Sequence, residues 1–212
     1  MSEPGVPWQS QRRAGMLAIG AGGVIALLVW LALRHYAPVP AGMDDTGARL
    51  VLALKCSALA VLFALVPGVE AVAHERLRSA AFDPLAPYKS RRLEVNQRYL
   101  QNTLEQSVVF IVGLLGLAIY SPGEAIRAVV ASTVVWVLGR WAFWAGYHTS
   151  AAMRGLGAPS MAVGLLMLLY VGWHVGYDVA GTAGGWGVVA AFLAFEALLF
   201  WGTRPQGVDA PR

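Results

Sequence analysis

The sequence predicts an all-α, polytopic transmembrane helical bundle, and three observations point to it. Of 212 residues, 57% are hydrophobic and 13% charged, about half the charged share of an ordinary soluble domain. The mean hydropathy is +0.56, more apolar surface than one water-soluble core of this size can bury. The apolar residues are gathered into stretches of about twenty, the length of helix that crosses a bilayer, and the cations fall in the short segments between them. This balance excludes a cytosolic enzyme, a secreted disulfide scaffold and a disordered chain. Cys56 is the single cysteine, so no intrachain disulfide can form. The net charge of +4 offers no nucleic acid partner, because no basic face lies free of the membrane.

Six spans are expected, in order. Helix A covers about Ala14 to Leu33, B about Leu50 to Ala73, C about Leu100 to Tyr120 and D about Ala128 to Tyr147. Helix E covers about Ser160 to Tyr177 and F about Trp186 to Trp201; both are short and glycine-rich, as a tilted or re-entrant pair would be. Break signals separate them: Pro38 and Pro40, Pro84 and Pro87, Ser121-Pro122-Gly123, Gly155 to Pro159, and Gly181 to Gly185. Helix A is too long for the apolar core of a cleavable signal and is expected to be an uncleaved anchor. With the N-terminus cytoplasmic, the inside segments hold Arg12, Arg13, Arg76, Arg78, Lys89, Arg91, Arg92, Arg98, Arg154, Arg204 and Arg212. The outside segments hold only Arg34, Arg49 and Arg127. That bias orients a cell inner membrane protein with both termini cytoplasmic.

In so apolar a chain the charges at membrane depth carry the information, since each costs about 2.5–3.5 kcal/mol on insertion scales. Lys55 can snorkel to the headgroups, and Glu70 lies close enough to the surface for a pairing role. Glu105 is expected ~7–8 Å deep and Arg140 ~10 Å deep at 1.5 Å per residue. Antiparallel neighbours C and D would bring them together as a structural ion pair. Arg98, Asn102 and Glu105 are spaced i, i+4, i+7, one face of helix C; Arg140, Phe143 and Tyr147 are spaced i, i+3, i+7, one face of helix D. With Arg154 just beyond, these faces would line a polar pocket for a small, multiply anionic molecule. His148 reads as an interfacial residue, and Tyr170, Trp173, His174 and Tyr177 as an aromatic belt. Gly113 and Gly116 permit a close helix contact. Glu196 in helix F has no evident partner. The histidine spacing offers no metal site.

The run Arg98-x-x-x-Asn102-x-x-Glu105, followed by an apolar span, resembles the second-helix signature of the MAPEG family, the membrane-associated proteins in eicosanoid and glutathione metabolism. Arg140-Trp-Ala-Phe-Trp-Ala-Gly146-Tyr147, with Arg154 seven residues on, is similar to the family's third-helix pattern. The basic segment Arg76 to Arg92 looks like the family's loop between its first two helices. The resemblance implies a MAPEG-like four-helix core over residues 50–177, preceded by a tail and extra helix in 1–49 and followed by an extra helix and tail in 178–212. It implies a homotrimer that binds glutathione as co-substrate and acts on a lipophilic electrophile or hydroperoxide reached through membrane lipid, as a transferase or peroxidase. Carried over, Arg98, Asn102, Glu105 and Tyr147 would hold the tripeptide, Arg78 would match a basic residue at the end of the family's first helix, and Arg154 would be the catalytic, thiolate-activating arginine. Gln106 and Phe143 stand where some synthase members carry groups with a hydroxyl or imidazole, which favours a general transferase over a specialised synthase. The alternative is a non-catalytic, lipid-binding or scaffolding member; a transporter-like role has only the extra helices and Glu196 behind it.

Overall fold

The structure, a computed structural model, describes residues 8–83, 85, 87–88, 90–150 and 152–203. Pro84, Lys89, Arg204 and Arg212, used above for breaks and orientation, lie outside the described residues. The chain divides into two units, Met1–Leu168 and Leu169–Arg212.

Helices α1 (Trp8–Tyr36), α2 (Thr46–Ala60), α3 (Val66–Leu77), α4 (Arg91–Ile119), α5 (Arg127–Thr149) and α6 (Pro159–Gly202) make up most of the described chain. Helix A corresponds to α1, and C and D to α4 and α5, with α4 starting nine residues earlier than expected. Ser90 caps α4, its hydroxyl accepting from the Leu93 N–H at 3.0 Å, and Asp45 caps α2 through the Ala48 N–H at 2.7 Å.

Helix B is not one regular helix. A π-helical turn, Val61–Leu65, joins α2 to α3, and the cause is Pro67. Proline has no N–H to return to the carbonyl four residues back, and its ring crowds that carbonyl. The Phe63 carbonyl is therefore free to accept from the Trp141 indole at 2.6 Å. The Ala64 carbonyl next to it accepts from the Tyr99 hydroxyl at 2.7 Å. These two neighbouring carbonyls bind α2–α3 to α4 and α5.

The core of the first unit runs from Ala53 and Cys56 on α2 through Phe110, Leu114 and Ala118 on α4 to Val129 and Trp136 on α5. Phe110 and Trp136 stack with centroids 4.5 Å apart. Gly113 lets the start of α6 close in, and a Cβ there would lie 3.1 Å from Met167 and 3.3 Å from the Gly164 carbonyl, the close approach that small residues permit in lipid. Arg49, counted above among the outer-segment cations, is buried. It donates to the carbonyls of Met43, Asp44, Ala118 and Ile119 and to the Thr46 hydroxyl, closing the end of α4, where carbonyls lack helical partners. At the opposite end, Glu75 pairs with Arg92 at 3.3 Å and accepts from Ser90 at 3.0 Å, tying α3 to α4.

Helix α1 lies along α5. The Trp30 indole donates to the Ser132 hydroxyl at 3.0 Å. Arg34 donates to the Glu124 carbonyl at 3.3 Å and Arg127 to the Ala37 carbonyl at 2.8 Å.

In the second unit, helices E and F are joined more tightly than expected. Only Ala180 and Gly181 leave helical geometry, with φ at +61° at Gly181, a conformation glycine tolerates. The helix turns back on itself there. Gly176 faces the Gly184 carbonyl, Gly172 faces Val188, and Trp173 lies on Gly185, so the two arms form an antiparallel hairpin. By length and apolarity the described residues offer five candidate spans, the last being Met153–Gly202. Trp173 stacks on Tyr177 at 5.2 Å and meets Trp186 edge-on at 6.4 Å.

Candidate functional site

The expected site residues on α5 hold together. Arg140, Phe143 and Tyr147 follow one another down a single face, and Arg154 joins them from the 3₁₀ turn Met153–Gly157. Tyr147 meets Phe143 edge-on at 4.9 Å. The Arg154 guanidinium lies 5.5 Å from the Tyr147 ring centre and points one nitrogen at its hydroxyl, 3.4 Å away. Glycines make the return of the chain possible. A Cβ on Gly146 would occupy the backbone of Met153 and Arg154, and one on Gly157 would collide with Phe143 and the Gly139 carbonyl. Gly146, one residue before Tyr147, is therefore the reason the turn can bring Arg154 back to that ring.

Arg140 is fully buried. Its Nη2 donates to Asn102 Oδ1 and Thr103 Oγ1, both at 2.9 Å. Its guanidinium faces Phe143 at 4.5 Å and Tyr99 at 5.5 Å, the cation-over-ring geometry that offsets part of the loss of water. Its Nε and Nη1 have no hydrogen-bond partner among the described residues.

The expected ion pair of Arg140 with Glu105 is not formed. Glu105 is exposed and accepts from Gln101 one turn earlier at 3.2 Å. Arg98 is likewise exposed and bound to Glu94 at 2.8 Å. Of the three residues expected to line the pocket from helix C, only Asn102 reaches the α5 face. The three span an arc of about 60° at 100° per residue, and the edge between buried and exposed surface on α4 runs through it. Asn102 falls on the inner side, Arg98 and Glu105 on the outer. Arg78 is exposed at the end of α3, and no hydrogen bond or ion pair joins it to the others among the described residues.

Several partners were not singled out by sequence reasoning. Thr103 and Tyr99 are fully buried on the same stripe of α4 as Asn96, Ser107 and Phe110, a helical period legible in the sequence. Tyr99 stacks on Trp144 at 4.8 Å, and Gly68 leaves room for its ring, which would lie 3.0 Å from a Cβ. Asn96 Oδ1 accepts from the Trp144 indole at 3.0 Å and lies 3.1 Å from His148 Nε2, so that histidine nitrogen carries its proton. Arg91 donates to the Tyr147 and His148 carbonyls, a cation at the negative end of α5.

The arrangement sets two cations along one face, Arg140 wholly buried and Arg154 exposed. Between Arg140 and Arg154 stand an amide, two hydroxyls and two aromatic rings, and among the described residues no carboxylate pairs with either cation.

The MAPEG family model matches residues 50–177. Transmembrane protein 79 of Bos taurus is 23% identical over 169 residues, which covers 78% of this chain and 42% of that protein. The chain thus spans about two fifths of the length of this curated relative. No solved structure matches. The family match takes in α2 to α5 and the start of α6, the whole of the Arg140–Arg154 face included, and an integral membrane protein of the MAPEG family is what this chain is.

Proposed function

We propose that the chain is a membrane glutathione transferase or peroxidase acting on lipophilic electrophiles or hydroperoxides, assembled as a homotrimer in the cell inner membrane with both termini cytoplasmic. One observation carries the reading: Arg140 is a buried guanidinium with two unpartnered nitrogens, one helix face away from a second arginine on Tyr147. An uncompensated buried charge is costly, and an anionic ligand is the partner that would relieve it. Glutathione fits this donor set, because it brings two carboxylates and a thiol to a face with cations at both ends.

In this reading Arg140 and Asn102 hold the peptide, Tyr147 fixes its orientation, and Arg154 stands beside the sulfur. Glutathione supplies the nucleophile, a thiol with an ordinary pKa near 8.5 that a guanidinium lowers. The assembly explains Arg98 and Glu105. Their face of α4 is exposed in the single chain, with Glu94, Arg98, Gln101 and Glu105 in succession, and a charged face at membrane depth calls for cover by protein. A neighbouring protomer would place Arg98, Glu105 and Arg78 at the edge of its site. Membrane lipid then delivers the apolar co-substrate laterally.

The test is thioether formation from glutathione and a chlorinated nitroaromatic by the purified protein in detergent, with Arg154→Ala beside it. Turnover that falls about 10²-fold in the variant, the usual scale for a lost charge-stabilising group, supports the transferase. Glutathione binding without turnover in the unaltered protein favours the non-catalytic alternative, and absence of both binding and turnover sinks the proposal.

A further inference from the structure

The turn that carries Arg154 is held from two sides, and the second side lies outside the family's matched region. On α5, Gly146 takes the backbone of Met153 and Arg154, and Gly157 of the turn packs on the Phe143 backbone and the Gly139 carbonyl. On α1, residues 15, 18, 19 and 22 form one stripe at i, i+3, i+4, i+7, and this stripe lies on the other side of the same turn. A Cβ on Gly155 would sit 2.7 Å from the Gly15 carbonyl and 3.1 Å from the Ala18 side chain; a Cβ on Gly22 would collide with the Leu156 carbonyl. Backbone therefore touches backbone in three layers: α1, the turn, α5. The far half of α1 is fixed independently by the Trp30–Ser132 hydrogen bond and by Arg34 and Arg127, so α1 is anchored along α5 and its near half presses on Gly155 and Leu156. Arg154 lies one residue from that contact.

We propose that α1 is a positioning element for Arg154, and that Gly22 and Gly155 are positioning residues that set where its guanidinium stands relative to Tyr147. The consequence for chemistry rests on the reading above, in which Arg154 faces the sulfur of glutathione. A displacement of about 1 Å in such a group can cost on the order of 10²-fold in rate.

Gly20 supplies an internal control, because a Cβ there meets nothing within 4 Å. Gly22→Ala and Gly155→Ala, which wedge the contact from opposite sides, are compared with Gly20→Ala in the full-length protein. Amide hydrogen exchange over residues 152–158 reads the clamp without any ligand: both wedge variants should exchange at least tenfold faster than Gly20→Ala. Equal protection in all three overturns the proposal. The second reading is the thiolate absorbance of bound glutathione against pH. The wedge variants should bind glutathione within about threefold of the unaltered protein, yet show less thiolate at neutral pH and regain it as the pH is raised. Faster exchange with an unchanged thiolate profile also overturns the proposal, since α1 would then support the fold and not Arg154. If the unaltered protein binds no glutathione, it is the transferase reading that fails, and the exchange comparison still decides whether α1 sets the turn.

Discussion

The contact between α4 and α5 has two halves built from the same two helices and by different chemistry. Toward Tyr120 it closes with Phe110, Leu114 and Ala118 against Val129 and Trp136, all nearly or wholly buried. Toward Arg91 the same helices bury Asn96, Tyr99, Thr103 and Arg140, with Trp144 stacked on Tyr99. The first half is held chiefly by shape, as helices in lipid are, although the Trp136 indole nitrogen buried in it has no hydrogen-bond partner among the described residues. The second buries a charge that two oxygens and two rings only partly satisfy. Stability alone would replace Arg140 with an apolar residue of similar volume. The half that departs from the cheapest solution is the half to which the proposed function assigns the ligand.

Phe110→Ala should give the largest loss of stability. The ring is fully buried on Trp136, and its removal leaves a cavity at the centre of the apolar half. In lipid the transfer part of the usual large-to-small cost is reduced, and the cavity part leaves about 2–3 kcal/mol. A detergent unfolding titration measures it. Glutathione affinity of the folded fraction should be unchanged, and a joint loss of affinity would show that the two halves are one unit.

Arg140→Met inverts that pattern. The guanidinium is removed and most of its volume kept, so stability should hold or rise, while glutathione affinity falls about 10- to 100-fold by equilibrium binding. Tenfold corresponds to about 1.4 kcal/mol, a modest share for a group with two free donors. Unaltered affinity together with lost stability would make Arg140 a staple between helices and nothing more.

Tyr99→Phe lies between the two. It deletes the bond to the Ala64 carbonyl and leaves that acceptor without its side-chain donor, at a cost of about 1 kcal/mol. The ring stack on Trp144 survives, so glutathione affinity should change less than threefold.

Much of this was legible in the sequence, and the omissions have physical causes. Span length and hydropathy mark α1, α4 and α5 because lipid imposes both. The α5 face of Arg140, Phe143 and Tyr147 spans the same arc of about 60° at 100° per residue, and it was readable because the whole of that arc is buried or half-buried. The α4 face was misread at Arg98 and Glu105, because spacing places residues on a common arc without saying where the arc meets its neighbour. Depth matching chose Glu105 for Arg140, but Gln101 lies one helical turn from Glu105 and Asn102 and Thr103 lie closer to the arginine. Pro67 signals a disturbed helix B, yet that Trp141 and Tyr99 would take the carbonyls of Phe63 and Ala64 depends on neighbours no local pattern names. For the same reason nothing in helix A announced that it would rest on the turn of Arg154. An apolar span with small residues is suited to many partners.

The smallest effect expected is that of Ser132→Ala, and it bears on the comparison from outside the α4–α5 contact. Ser132 is buried on α5 and accepts from the Trp30 indole of α1. Interhelical hydrogen bonds in membranes average about 0.6 kcal/mol, and the Trp30 N–H left behind has lipid and neighbouring carbonyls as poor substitutes. A loss near ~0.6 kcal/mol in the same unfolding titration would mean that α1 is held chiefly by the backbone contacts of Gly15, Gly22 and Gly155. A loss several times larger would make Trp30–Ser132 the main anchor. Its removal should then also loosen residues 152–158, because the near half of α1 presses on the turn only as firmly as the far half is fixed to α5.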